Sequence, residues 1–409
     1  MRFVKSSERK GWLIVASLFI TLFIVFGAGY DASGVFFVPM IRDLSWSRTR
    51  LSSLQTALAL TAGITAPAVG WLIDRIEARA VVSVGVALCG AAFLLASQAN
   101  SFRLMAAAYV VLGAGISAAT LLPCSLVIAN WFGDRRGTAL GITMAGTSLG
   151  GMVMTLVAAR VIAAAGWRAA FVALALPMFL VALPLVVGTV ATRPPGEKNP
   201  NASDAALTVP GLDIGQALRA RSFWMIASAQ FCYSFASAGA TVHTVPCLIT
   251  MGYRPERAAQ VMSVIFGLAS LGKPIVGYAA DYLSGRSVLA ISLALAALGQ
   301  FLLLGARSAA MLGAYALIYG PMSGAPLALI PMLIADSLGL KRFGSVSGLT
   351  GLFMTAGAAS GPLVAGWIFD QGLGYAVAYT LFVGALAAGA IAATLSSPLI
   401  EDETSSSRA

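Results

Sequence analysis

Three ionisable side chains stand inside long apolar runs of this chain: Asp31, His243 and Lys273. A charged group at membrane depth costs roughly 2.5–3.5 kcal/mol on insertion scales and is retained where function needs it. Lys273 precedes Asp281 by eight residues, about 12 Å along a helix rising ~1.5 Å per residue, too deep to reach water by stretching. It could hold a substrate carboxylate, or close an ion pair inside the protein, for example with Asp31. Asp31 is flanked by Gly27, Gly29 and Gly34. It could take up and release a proton, or cap a helix break or partner Lys273. His243 is the single histidine, the residue type that titrates nearest neutral pH. It could handle protons, or simply bond a neighbouring carbonyl. Tyr30, Tyr233 and Tyr319 could offer hydroxyls to a substrate in an apolar pocket; Tyr30 and Tyr319 are the two retained as candidates, although aromatic rings also serve packing. No metal-ligand cluster, nucleophile elbow or phosphate loop is present, so no catalytic residue, metal or cofactor is expected, and the chain does not read as an enzyme.

The elements that must carry these residues follow from composition. Of 409 residues, 58% are hydrophobic and 10% charged, against roughly 25% charged in soluble domains. A membrane-crossing helix needs about 20 apolar residues. Twelve such stretches are expected at 12–40, 51–73, 80–98, 102–129, 138–163, 168–190, 222–248, 257–280, 288–305, 309–335, 344–368 and 375–396. A barrel would need period-two alternation, which 171–190 lacks. The expected fold class is an all-α membrane protein of twelve transmembrane helices. The net charge of +10 is explained by topology and not by nucleic acid. With the N-terminus inside, sixteen Lys/Arg fall on the inner side and eight on the outer, as the positive-inside rule requires. Cys89, Cys124, Cys232 and Cys247 are scattered and read as packing residues.

The chain also repeats itself. An offset of 207 residues brings Pro39 onto Pro246, Pro67 onto Pro274, Gly70 onto Gly277, Asp74 onto Asp281 and Arg79 onto Arg286. It also aligns Arg50 with Arg257, Gly113 with Gly320, Gly137 with Gly344, Gly141 with Gly348 and Gly150 with Gly357. Two six-helix bundles are expected, 1–190 and 222–396, joined by a linker at 191–221 and followed by a disordered tail at 397–409. The linker is rich in Pro, Asn and Ser, with a possible short surface helix at 211–218. An even helix count gives both halves the same orientation, which places a shared site near mid-membrane and suits rocking of one half against the other. Gly70, Asp74, Arg75, Arg79, Gly277, Asp281 and Arg286 are then candidate gating residues. Asp74 could face a helix N-terminus, and Arg75 and Arg79 could bridge neighbouring helices; contacts made in one access state bias the population. The arginines fit topology equally well.

Residues 70–79, Gly-Trp-Leu-Ile-Asp-Arg-Ile-Glu-Ala-Arg, resemble the loop after the second helix of the major facilitator superfamily, with Glu77 where glycine is usual. Residues 277–286 keep Gly277, Asp281 and Arg286. Gly34-Val35-Phe36-Phe37-Val38-Pro39 with Ser45-Trp46-Ser47-Arg48, the stretch Asn130–Gly141, and Gly272-Lys273-Pro274 resemble its monocarboxylate and oxalate/formate group, in which arginine usually precedes that proline. The resemblance implies a secondary transporter of a small organic anion, proton-coupled or exchanging, working by alternating access. Lys273, Tyr319 and Tyr30 would contact substrate, and Asp31 or His243 would carry protons. An efflux pump for hydrophobic or cationic compounds and a transporter-like receptor are the alternatives. The expected partners are the anion, protons and the lipid bilayer, with no nucleic acid, in a monomer. The expected location is a plasma membrane, a bacterial inner membrane in the first instance, with both termini cytoplasmic.

Overall fold

The computed structural model describes residues 2–46, 48–133, 135–194 and 211–397, which are helical with short turns. The tail from 398 onward and linker residues 195–210 lie outside the described residues. In lipid every backbone N–H and C=O must be bonded within the segment, so long apolar runs become helices. Ten helical stretches are long and apolar enough to cross a bilayer. One of them, Arg136–Thr189, reverses at Gly166, whose φ of +82° suits glycine, and so crosses twice. Arg221–Thr250, which carries Gln230, Tyr233 and His243, completes twelve passes among the described residues.

We number these passes in chain order. α1 runs from Arg2 to Leu44, and its centre unwinds through a π turn at Gly27–Asp31 and a 3-10 turn at Ala32–Phe36. α2 is Arg48–Ile73, α3 Ala78–Ser97, and α4 Phe102–Trp131 with a break at Thr120. α5 spans 136–165 and α6 spans 167–189. α7 is Arg221–Thr250, α8 Pro255–Tyr282, α9 Gly285–Leu304, and α10 Ala309–Leu338 with a break at Gly324. α11 is Phe343–Asp370 and α12 Gly374–Thr394. Serine caps start three of them: Ser101, Ser284 and Ser308 accept from the N–H groups of Leu104, Ser287 and Met311. The limits differ from the sequence expectation mainly in α1, which is longer at both ends, and in the breaks of α4 and α10.

The first six helices pack among themselves as the last six do. α1 lies on α5 as α7 lies on α11, α2 on α4 as α8 on α10, and α3 on α4 as α9 on α10. The two sets meet along two seams, α2 against α11 and α5 against α8. Both seams close to backbone contact. A Cβ on Gly70 would lie 2.1 Å from the Gly344 carbonyl oxygen, and one on Gly137 would lie 2.2 Å from that of Gly277. Small residues are what allow helices to approach this closely in a membrane. The short helix anticipated in the linker forms at Ile214–Arg219. It is strapped to the turn between α10 and α11 by Leu212 N–H on the Leu338 carbonyl (2.9 Å) and by the Lys341–Asp213 ion pair (3.0 Å).

Candidate functional site

At the end of the bundle that carries the linker, one carboxylate crosses each seam. Asp74 accepts from the N–H groups of Gly344 and Ser345, both at 2.9 Å, and from the Ser345 hydroxyl at 2.6 Å. Asp281 accepts from the N–H groups of Gly137 (2.6 Å) and Thr138 (2.8 Å) and from the Thr138 hydroxyl. Every partner is related by the same 207-residue offset. Each carboxylate thus caps the N-terminus of a helix in the opposite set, where orphan N–H groups and the helix dipole favour an anion. Burial pushes the Asp74 carboxyl up from its ordinary value, while the Ser345 hydroxyl and the two N–H groups pull it back. A third contact between the sets, the Arg136–Asp336 ion pair at 2.8 Å, has no counterpart in the repeat.

The candidate arginines sit differently. Arg79 donates to the Val190 carbonyl (2.6 Å) and Arg286 to the Ser396 carbonyl (3.3 Å), each at the end of the last helix of its own set. Arg75 lies over the Trp71 ring at 4.0 Å. Glu77 accepts from the Thr192 hydroxyl at 2.7 Å, which in turn accepts from Ala78 N–H, so this departure from the usual glycine ties the α3 start to the chain after α6. At the opposite end Asp43 accepts from Arg168 and from the Trp167 indole (2.9 Å).

Halfway through the bundle, α5 receives side chains from both sets. Lys273 of α8 is 1% exposed. Its ammonium donates to the Thr147 hydroxyl (2.6 Å), the Ser148 hydroxyl (2.7 Å) and the Met144 carbonyl (3.2 Å), all on α5. Among the described residues no carboxylate lies within ion-pair reach of it. Asp31 emerges from the unwound centre of α1 and is exposed. It rests on Gly151, one turn beyond Ser148, where an added Cβ would lie 2.3 Å from its Oδ2. Asp31 and Lys273 thus sit about one turn apart along α5 without forming an ion pair. The break in α10 makes room for the lysine stem: a Cβ on Gly324 would meet Lys273 Cε at 2.4 Å.

The tyrosines divide. Tyr319 is buried and stacks on Tyr315 at 5.4 Å between ring centres, and Tyr233 donates to the Ser323 carbonyl (2.8 Å) just before the α10 break. Tyr30 stacks on Phe26 and is 40% exposed beside Asp31. His243 lies apart from this centre. Its ring nitrogens face the Pro362 carbonyl of α11 (3.0 Å) and the Tyr375 hydroxyl of α12 (3.4 Å).

The family model described as Major Facilitator Superfamily matches residues 18–272 and again 255–409. The chain belongs to that superfamily. Its members are transporters, not enzymes. An MFS-type transporter of Gibberella moniliformis is 27% identical over 384 residues, covering 92% of this chain and 87% of its own. Monocarboxylate transporter 13 of Rattus norvegicus is 24% identical over 382 residues, 93% of this chain and 87% of its own. Among solved structures, the major facilitator FucP in its outward conformation superposes with a TM-score of 0.71 at 14% identity, over 93% of this chain and 98% of its own. In this transporter the residues that sequence reading passed over are Thr147, Ser148 and Gly151 of α5, the Arg136–Asp336 pair, and the Thr138 and Ser345 hydroxyls. Only the last two carried a signal, since both follow a glycine of the repeat.

Proposed function

We propose that this chain is a secondary transporter of a small organic anion, of the monocarboxylate class, coupled to protons or working by exchange. Residues 1–190 and 222–396 would rock about the α5 site, with 191–221 as the tether. The observation that carries the reading is a buried cation, Lys273, held by three neutral oxygens of the opposite set and by no carboxylate. A cation in that setting attracts an anion strongly, because low dielectric magnifies Coulomb attraction. Charge balance then assigns a role to Asp31. With Asp31 ionised and Lys273 charged the centre is neutral, and an incoming carboxylate leaves it at −1 unless a proton enters with it. Asp31 of α1, exposed and seated against Gly151 on the same strip of α5, would accept that proton. His243, tied to α11 and α12, is the lesser candidate. Tyr30 beside Asp31 and Tyr319 in the α10 wall would bound the substrate.

The gating set would comprise Gly70, Asp74, Gly277 and Asp281 across the seams. Arg75, Arg79 and Arg286 would hold the loops that carry the two aspartates. The excess of Lys/Arg on the linker end supports an orientation with both termini cytoplasmic; the plasma membrane is the location proposed. Relatives named monocarboxylate transporters support the substrate class.

The test is uptake of radiolabelled monocarboxylates into proteoliposomes. Lys273→Gln is expected to abolish it. Normal rates in Lys273→Gln would overturn the assignment, and export of cations with no anion flux would favour an efflux pump in which Asp31 is the counter-charge.

A further inference from the structure

The two seams are an internal comparison that the repeat supplies. Both close at backbone level by the same fit: a Cβ on Gly141 would meet the Lys273 carbonyl oxygen at 2.3 Å, and one on Gly348 would meet the Ala66 carbonyl oxygen at 2.7 Å. By the 207-residue offset, Ala66 stands where Lys273 stands, Met354 where Thr147 stands, and Thr355 where Ser148 stands. The α2–α11 seam therefore closes with no charge at this depth. Closure needs neither the ammonium nor a hydroxyl at the Thr147 position, and the one hydroxyl the other seam keeps, Thr355, serves no cation there, so the Lys273 contacts in the α5–α8 seam answer to something else.

The geometry at Lys273 indicates what. Thr147 donates its own proton to the Met144 carbonyl (2.8 Å) and presents its lone pairs to the ammonium, as Ser148 does. Both are neutral acceptors within 2.7 Å of the ammonium, a role a substrate carboxylate could take over. We infer that Thr147 and Ser148 are positioning residues that act as resident partners of Lys273 in the empty carrier, satisfying the cation until a substrate carboxylate displaces them. The inference rests on the anion-transport reading above. The exchange is favourable because a charged acceptor makes roughly twice as strong a hydrogen bond as a neutral one. It is reversible because the cation never has to stand bare. It also links binding to movement. Both hydroxyls belong to the first set and the ammonium to the second, so a carboxylate that takes Lys273 away from α5 removes one of the ties between them. Asp31 lies one turn further along the same α5 strip, on Gly151, so the displaced contact and the protonation site share one helix face.

The experiment compares apparent KM and turnover for a labelled monocarboxylate in wild-type protein, Thr147→Val/Ser148→Ala, and Thr147→Ser. Removing both hydroxyls deprives the empty carrier of its resident partners, so KM should fall at least threefold with no matching rise in turnover. Thr147→Ser keeps the acceptor and should hold the wild-type KM. An unchanged or raised KM in the double variant would overturn the inference while leaving the anion reading standing. Wild-type vesicles that move no carboxylate would instead remove the anion reading and this one with it. Should the double variant fail to insert, Ser148→Ala alone must show the fall in KM, and an unchanged or raised value there overturns the inference equally.

Discussion

Gly151 is the smallest residue in the site and one of the most constrained. A methyl there would stand 2.3 Å from Asp31 Oδ2, a distance that no side chain tolerates, so Gly151→Ala must push the carboxylate off its seat on α5. The expected outcome is a protein that inserts and binds anion but loses most of its pH-driven accumulation, read as tracer uptake with and without an imposed proton gradient. Accumulation at the wild-type level would show that the seat is irrelevant. Asp31 and Lys273 were legible in the sequence because ionisable groups in apolar runs are rare. Thr147, Ser148 and Gly151 were not. Hydroxyls in these helices mostly bond their own backbone, as Ser125 does to the Leu121 carbonyl and Thr143 to the Ala139 carbonyl. A serine or threonine in an apolar stretch therefore says nothing until its neighbours from another helix are seen. His243 shows the converse. Its residue type suggested proton chemistry, yet its contacts belong to the packing of α7 against α11 and α12.

Among elements, the two cross-set caps tie the sets together at the linker end, and in the proposed reading they hold that end closed. Loss of a capping carboxylate costs roughly 0.5–2 kcal/mol. Asp74→Ala or Asp281→Ala should therefore shift the equilibrium away from this state by roughly twofold to thirtyfold. Thiol labelling of a cysteine placed on the site-facing surface of α10 reports the shift, with reagent supplied from the linker end. Equal labelling of wild type and both variants would mean that the caps do not hold the closure. The repeat made both aspartates visible, because a rare charge recurred at a fixed offset. Their targets, the N-termini of α11 and α5, lie far away in sequence, and only Gly137 and Gly344 hinted at them. Of the two arginines read as able to bridge neighbouring helices, Arg79 reaches the Val190 carbonyl after α6, while Arg75 lies over the Trp71 ring of its own α2. The unwound centre of α1 was foreshadowed by its glycines, and the break at Gly324 stands among Gly320, Pro321 and Pro326, whereas at Thr120 only Pro123 marks the place. A break in a membrane helix is decided by what fills it, and at Gly324 that is the stem of Lys273.

For the whole molecule, two sets of six helices with like internal packing meet at two seams, and among the described residues one seam alone carries a cation at mid-depth. That asymmetry turns a duplicated scaffold into a carrier with a directed site. The class of fold was written in composition, length and repeat. In the proposed reading, substrate identity depends on how α1, α5, α8 and α10 shape the space around Lys273, which no single stretch of sequence encodes. The most direct test of the account is simultaneous measurement of labelled monocarboxylate and proton entry into proteoliposomes, for wild type and Asp31→Asn. The account predicts that anion and proton enter wild-type vesicles together, and that Asp31→Asn retains anion exchange but no longer accumulates anion against its gradient. Full proton-driven accumulation in Asp31→Asn would contradict it.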